Sequence, residues 1–195
     1  MYLCTVRSHM LAVCCLHAAL TGTAGAQVTD TKPIEVEKVL RVPSIDYRKA
    51  WVHLGTFSVL ADSPENGAKE LHTVYTTRES LEAYLKGGRF PDGAVIVKEV
   101  WEAKTEALTT GTSSSADRLA GRFVMVKDAA GKLGTGPRFG DGWGWSFFKG
   151  SETRLTVTGD YKIDCLTCHE PVRNQDLLFL QGYPLLAPPT TPVQR

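Results

Sequence analysis

Two cysteines, two residues apart and followed at once by a histidine, stand near the C-terminal end of this 195-residue chain, at Cys165-Leu166-Thr167-Cys168-His169. Few structures can use such a set. A structural zinc site needs four ligands, yet Cys168 and His169 are adjacent, and beyond residue 26 only His53 and His72 could join them. A thioredoxin-like pair follows an early strand of a βαβ unit, whereas this pair lies close to the C-terminus. A disulfide closing so short a loop would add little stability. The remaining use is covalent haem attachment. Two thiols at this spacing reach the two vinyl groups on one edge of a porphyrin, and the next residue sets an imidazole under the iron. The motif predicts one covalently bound haem c, held through Cys165 and Cys168, with His169 as the iron ligand.

The N-terminus agrees with that prediction. Arg7 and His9 precede a short apolar run over residues 10–20, and Ala24-Gly25-Ala26 supplies small residues for a signal peptidase. Residues 1–26 therefore read as a cleaved secretory signal peptide. The run is too short to span a bilayer, and no later segment reaches the roughly 18 apolar residues a membrane helix needs. Leu11-Ala12-Val13-Cys14 resembles a lipoprotein box only faintly, since Val13 is bulky and little apolar sequence precedes it. Cleavage removes Cys4, Cys14 and Cys15 and leaves Cys165 and Cys168, so no disulfide framework can form. Haem attachment takes place outside the cytoplasm. The expected location is the periplasm, with a periplasmic electron-transfer partner. A net charge of +1 argues against nucleic acid or an anionic membrane surface as the partner.

Residues 27–43 are polar and read as a leader, 44–186 as one domain, and 187–195, with Pro188, Pro189 and Pro192, as a disordered tail. Within the domain, Ser44 is placed to cap a short helix over 44–51. Residues 53–60 and 71–75 read as strands. Thr76 and Glu79 have capping-box spacing, with Leu81, Tyr84 and Leu85 as one apolar face and Gly87-Gly88 as the stop. Pro91-Asp92-Gly93 is a turn that launches a β-branched strand over 94–101. The polar stretch 109–115 reads as a hairpin tip, 121–127 as the returning strand, 131–142 as a glycine-rich connection and 143–148 as a third strand. The predicted class is strand-rich α+β, an antiparallel sheet with one or two short helices and the haem motif after the last strand.

The run Arg89-Phe90-Pro91-Asp92-Gly93-Ala94-Val95-Ile96-Val97-Lys98-Glu99 resembles the central signature of the cytochrome P460 family, which includes the β-type cytochromes c′. So do residues 122–128, the Gly-Trp-Gly-Trp-Ser-Phe-Phe stretch from Gly142, and residues 165–171; together the likeness covers most of 44–186. The resemblance implies a β-rich homodimer with a five-coordinate haem, His169 below the iron and an open distal side. Some members oxidise hydroxylamine; others bind nitric oxide without such turnover.

In the oxidising members a lysine is covalently linked to the porphyrin, and Lys98 stands where the resemblance would put it; the alternative is an exposed strand lysine. Those members also place a carboxylate over the iron to take a proton from substrate. The corresponding strand here reads Arg122-Phe123-Val124-Met125-Val126, with no acid before Asp128 at its end. Asp128 is therefore the one candidate base. An apolar cap from Phe123 or Met125 would suit a neutral diatomic ligand, unless both are plain core residues. The pattern favours a binder of nitric oxide or related small nitrogen oxides, then a hydroxylamine-oxidising enzyme. A simple electron carrier comes last, since its second axial ligand would have to be Met125, His53 or His72.

Overall fold

The computed structural model describes residues 39–186. The expected signal peptide over 1–26, the leader as far as residue 38 and the tail over 187–195 lie outside the described residues. Six strands form one antiparallel sheet: β1 (Val52–Leu60), β2 (Ala68–Thr76), β3 (Val95–Leu108), β4 (Gly111–Lys127), β5 (Phe139–Gly140) and β6 (Trp143–Lys149), in the order β1-β2-β3-β4-β6-β5. Among the described residues, helices α1 (Tyr47–Ala50) and α2 (Arg78–Gly87) accompany it, with short helical turns elsewhere. The domain is strand-rich α+β, with the Cys-x-x-Cys-His segment after the last strand.

Opposed residues of antiparallel strands share a face. Thr76, Ile96, Met125 and Trp145 form one row across the sheet, and Val74, Lys98, Phe123 and Phe147 the next. Both rows lie on one face, which packs under Leu81 and Tyr84 of α2 and under Leu177, Leu178 and Tyr183 of the C-terminal segment. Tyr75, Val97, Val124 and Phe148 face the other way, against Leu40, Val42 and Tyr47. Trp143, Trp145 and Phe148 are at most 1% exposed, and burial of each such side chain stabilises by roughly 2–3 kcal/mol. Lys98 therefore points away from Val95, Val97 and Trp101, its apolar neighbours in sequence, and lies with Ile96 and Phe123.

Several boundaries differ from the sequence pattern. The α2 cap is Thr77, whose Oγ1 accepts from Ser80 N at 3.2 Å, because Thr76 ends β2 and donates its hydroxyl to Val95 O at 2.8 Å. Leu85 is 59% exposed, so the buried residues of this helix are Ser80, Leu81 and Tyr84. Asp46 rather than Ser44 precedes α1. Most of 109–115 is strand: β3 and β4 run on to a tight turn at Thr109-Thr110, as a hairpin arm exposed on both faces. Such an arm has no buried side to enforce alternation, so its polarity imitates a loop.

At β1 the register slips between His53 and Gly55, turning Gly55 toward the C-terminal segment. A Cβ on Gly55 would lie 2.0 Å from Gly182 O. Backbone meets backbone there, and only glycine allows it.

On the second face Glu99 is 1% exposed and accepts from Tyr47 Oη at 2.5 Å, Arg48 Nε at 2.9 Å and Trp101 Nε1 at 3.1 Å. Burial opposes its charge, yet the Arg48 and Tyr47 hydrogen bonds hold its carboxyl below the usual range. A carboxyl depressed on folding contributes stability above its unfolded pKa and loses it as pH falls through the folded value. Glu99→Gln is expected to cost about 3 kcal/mol at neutral pH. The cost should shrink below about pH 4, and denaturant unfolding across that range measures both effects.

Candidate haem cleft

After β6 the chain crosses to the first face. Tyr161 anchors the crossing: its ring stacks on Trp145, centroids 6.0 Å apart, and its hydroxyl donates to Asp141 Oδ2 at 3.1 Å. Asp164 Oδ2 accepts from Gly159 N at 2.8 Å and Asp160 N at 3.2 Å, which fixes the start of the next turns. A wide turn of helix over Lys162–Leu166 runs into Thr167–His169 and then a tighter one over Glu170–Gln175.

These turns bring Cys165, Cys168 and His169 to one cleft, whose sheet wall is Ile96, Lys98, Phe123, Met125 and Trp145. It holds about 820 Å³ of empty space, part of it open to solvent.

The state of each donor follows from its surroundings. His169 Nδ1 lies 2.6 Å from Leu177 O, and a carbonyl can only accept. Nδ1 therefore carries the proton and Nε2 the lone pair. The ring packs edge-on against Trp145 and Phe179, with centroids 5.1 Å from each. Burial lowers its pKa, against the Leu177 hydrogen bond, so the imidazole is neutral near neutral pH. Both thiols are free, Cys165 buried and Cys168 exposed. Burial pushes the Cys165 thiol up to about 11, the opposite of what thiol–disulfide exchange requires. No three His, Cys, Asp or Glu side chains gather into a metal-binding group among the described residues. A covalently held haem fits what is present: two free thiols, one neutral imidazole with a free nitrogen, and aromatic walls.

Lys98 also lines the cleft, with Nζ 4.4 Å from the centre of the Phe123 ring. Burial pushes its ammonium pKa down, and it makes no ion pair with any described residue. Lys98, Phe123, Met125, Cys165, Cys168 and His169 thus share one space. Asp128 does not line it. Its Oδ1 accepts from Lys132 N at 2.7 Å and Leu133 N at 3.1 Å, holding the turn after β4. The Asp128-Ala-Ala-Gly131 spacing was the signal for that turn.

His53 lies on the opposite face against Tyr75. His72 borders the space beside Lys98, with Nε2 bonded to Glu70 Oε2 at 2.9 Å. Sequence reasoning missed Asp164, Trp145, Leu177 and Phe179. Asp164 is adjacent to Cys165 and could have been noticed; the others are brought in by tertiary packing alone.

An antiparallel sheet with one face closed by a Cys-x-x-Cys-His segment has the construction of a c-type cytochrome. The chain belongs to the cytochrome P460 family, whose profile matches residues 45–180. Members of this family are c-type haem cytochromes. No curated protein sequence matches the chain.

Proposed function

We propose that the chain is a periplasmic mono-haem c-type cytochrome that binds nitric oxide or a related small nitrogen oxide. The observation that carries this reading is the make-up of the cleft. Its sheet wall is apolar at Phe123 and Met125. Among the described residues the one acid lining it, Asp164, belongs to the motif's own segment and has an oxygen tied to two backbone N–H groups. Haem bound here would supply a coordination position on iron and one-electron redox chemistry. Cys165 and Cys168 would hold it by thioethers, and His169 Nε2 would ligate the iron. Phe123 and Met125 would exclude water and favour a small neutral ligand over a charged one.

One observation favours a second reading. Lys98, a half-buried amine in the same space as the two thiols, is the residue a hydroxylamine-oxidising relative would link to the porphyrin. Absorption spectra of the purified protein in both oxidation states separate the two. A ferrous Soret band shifted markedly to the red supports the cross-linked enzyme, and an ordinary c-type Soret band supports the binder. Sharp α and β bands with no response to nitric oxide would instead mean a six-coordinate carrier. We further propose a homodimer and a periplasmic electron-transfer partner, and sedimentation of the holoprotein tests the first.

His169→Ala is expected to leave the haem attached and to change its spin state, because the thioethers outlast the axial bond. An unchanged spectrum would show that another residue ligates the iron.

A further inference from the structure

The carbonyl that fixes His169 is held in an unusual way. Asp176 and Leu177, neither of them glycine, both adopt left-handed backbone conformations, with φ of 58° and 63°. An aspartate tolerates that region; a leucine rarely enters it. Leu177 is nonetheless 2% exposed, and its carbonyl meets His169 Nδ1 at 2.6 Å.

Three contacts over-determine this bend. Lys127, the last residue of β4, reaches Asp176 Oδ1 with Nζ at 2.5 Å, and the two side chains are only 5% and 10% exposed. Trp143 Nε1 donates to Asp176 O at 3.1 Å, and the Lys127 ammonium sits 4.5 Å from the centre of the Trp143 ring. Lys127 and Trp143 are opposed across the end of the β4–β6 pair, so the clamp is built on two hydrogen-bonded strands of the sheet. None of these three residues lines the cleft. Strained backbone persists where the surroundings enforce it, and it gathers at functional sites.

We propose that Lys127, Asp176 and Trp143 are positioning residues for the iron's histidine. The buried ion pair and the indole hold the Asp176-Leu177 bend, so that the Leu177 carbonyl stays on His169 Nδ1–H and sets how strongly Nε2 donates to a metal. This deepens the haem reading above and rests on it. A histidine whose far nitrogen donates a firm hydrogen bond is a more basic ligand and favours the more oxidised iron. Releasing the carbonyl weakens that bond and favours the reduced iron.

The test uses the purified holoprotein and reads the iron–histidine stretching band in ferrous resonance Raman spectra, together with the reduction potential. Lys127→Met is expected to move the band to lower frequency. It should also shift the oxidised-to-reduced equilibrium roughly tenfold toward the reduced form, about 59 mV upward for one electron. Asp176→Asn keeps a residue that tolerates the left-handed bend, serves if Lys127→Met does not fold, and should shift both readouts in the same direction. Lys127→Arg retains the cation and should stay closer to the wild type than Lys127→Met in both. Folded variants of lowered stability but unchanged band and potential would overturn the proposal and leave a purely structural ion pair. A wild type that carries haem but shows no iron–histidine band would instead overturn the five-coordinate ligation by His169 on which the proposal rests.

Discussion

Replacing Cys165 and Cys168 together by alanine is expected to abolish haem retention in the denatured protein. Unfolding removes the Trp145 and Phe179 walls and the His169 geometry at once, and a haem held only by these leaves with them. Thioether bonds do not depend on the fold. Haem-dependent peroxidase staining after denaturing electrophoresis should therefore mark the wild type and miss the double variant. Cys168→Ala alone should still stain, because the buried Cys165 can keep one thioether. A colourless wild-type band would overturn the haem reading and return the two thiols to some other use.

The second large effect concerns what the cleft can do once haem is in place. The ferrous protein should bind nitric oxide readily and oxidise hydroxylamine slowly. Oxidation requires a group to accept the substrate's proton, and general-base assistance contributes roughly 10²–10⁴-fold. The candidate base in the sequence, Asp128, is committed to the N–H groups of Lys132 and Leu133 and does not line the cleft. Asp128→Asn should accordingly leave turnover with an artificial electron acceptor within about twofold of the wild type, far below the range for loss of a base. It should act on stability instead, through the turn after β4. Fast turnover in the wild type that collapses in Asp128→Asn would make the protein a hydroxylamine oxidase and remove the binding reading.

Residues whose chemistry depends on near neighbours were legible in the chain itself. The Cys165–His169 spacing specifies two thiols and an imidazole on one turn, and the structure brings all three to one cleft. Helix α2 and the Pro91–Gly93 turn were readable because caps and turns are short-range hydrogen-bond patterns. The sequence pattern sets the hairpin tip over 109–115 rather than at Thr109-Thr110 because two exposed faces erase the alternation that marks a strand.

Strand β3 carries the deeper division. Its β-branched run determined that it would be a strand, and alternation alone determined that Lys98 and Val97 would part company. Which of the two would face the motif depended on where a segment more than sixty residues later would land. Packing decided that, through Tyr161 on Trp145 and the backbone contact of Gly182 with Gly55. The sequence by itself thus determined most of the strands and the haem-binding motif, since each is written in spacings of a few residues. Only the tertiary structure decided that Lys98 shares the cleft, that Asp128 does not, and that a lysine at the end of β4 braces the carbonyl behind His169. Those relations join residues tens of positions apart, and no local pattern encodes the direction in which two distant elements meet.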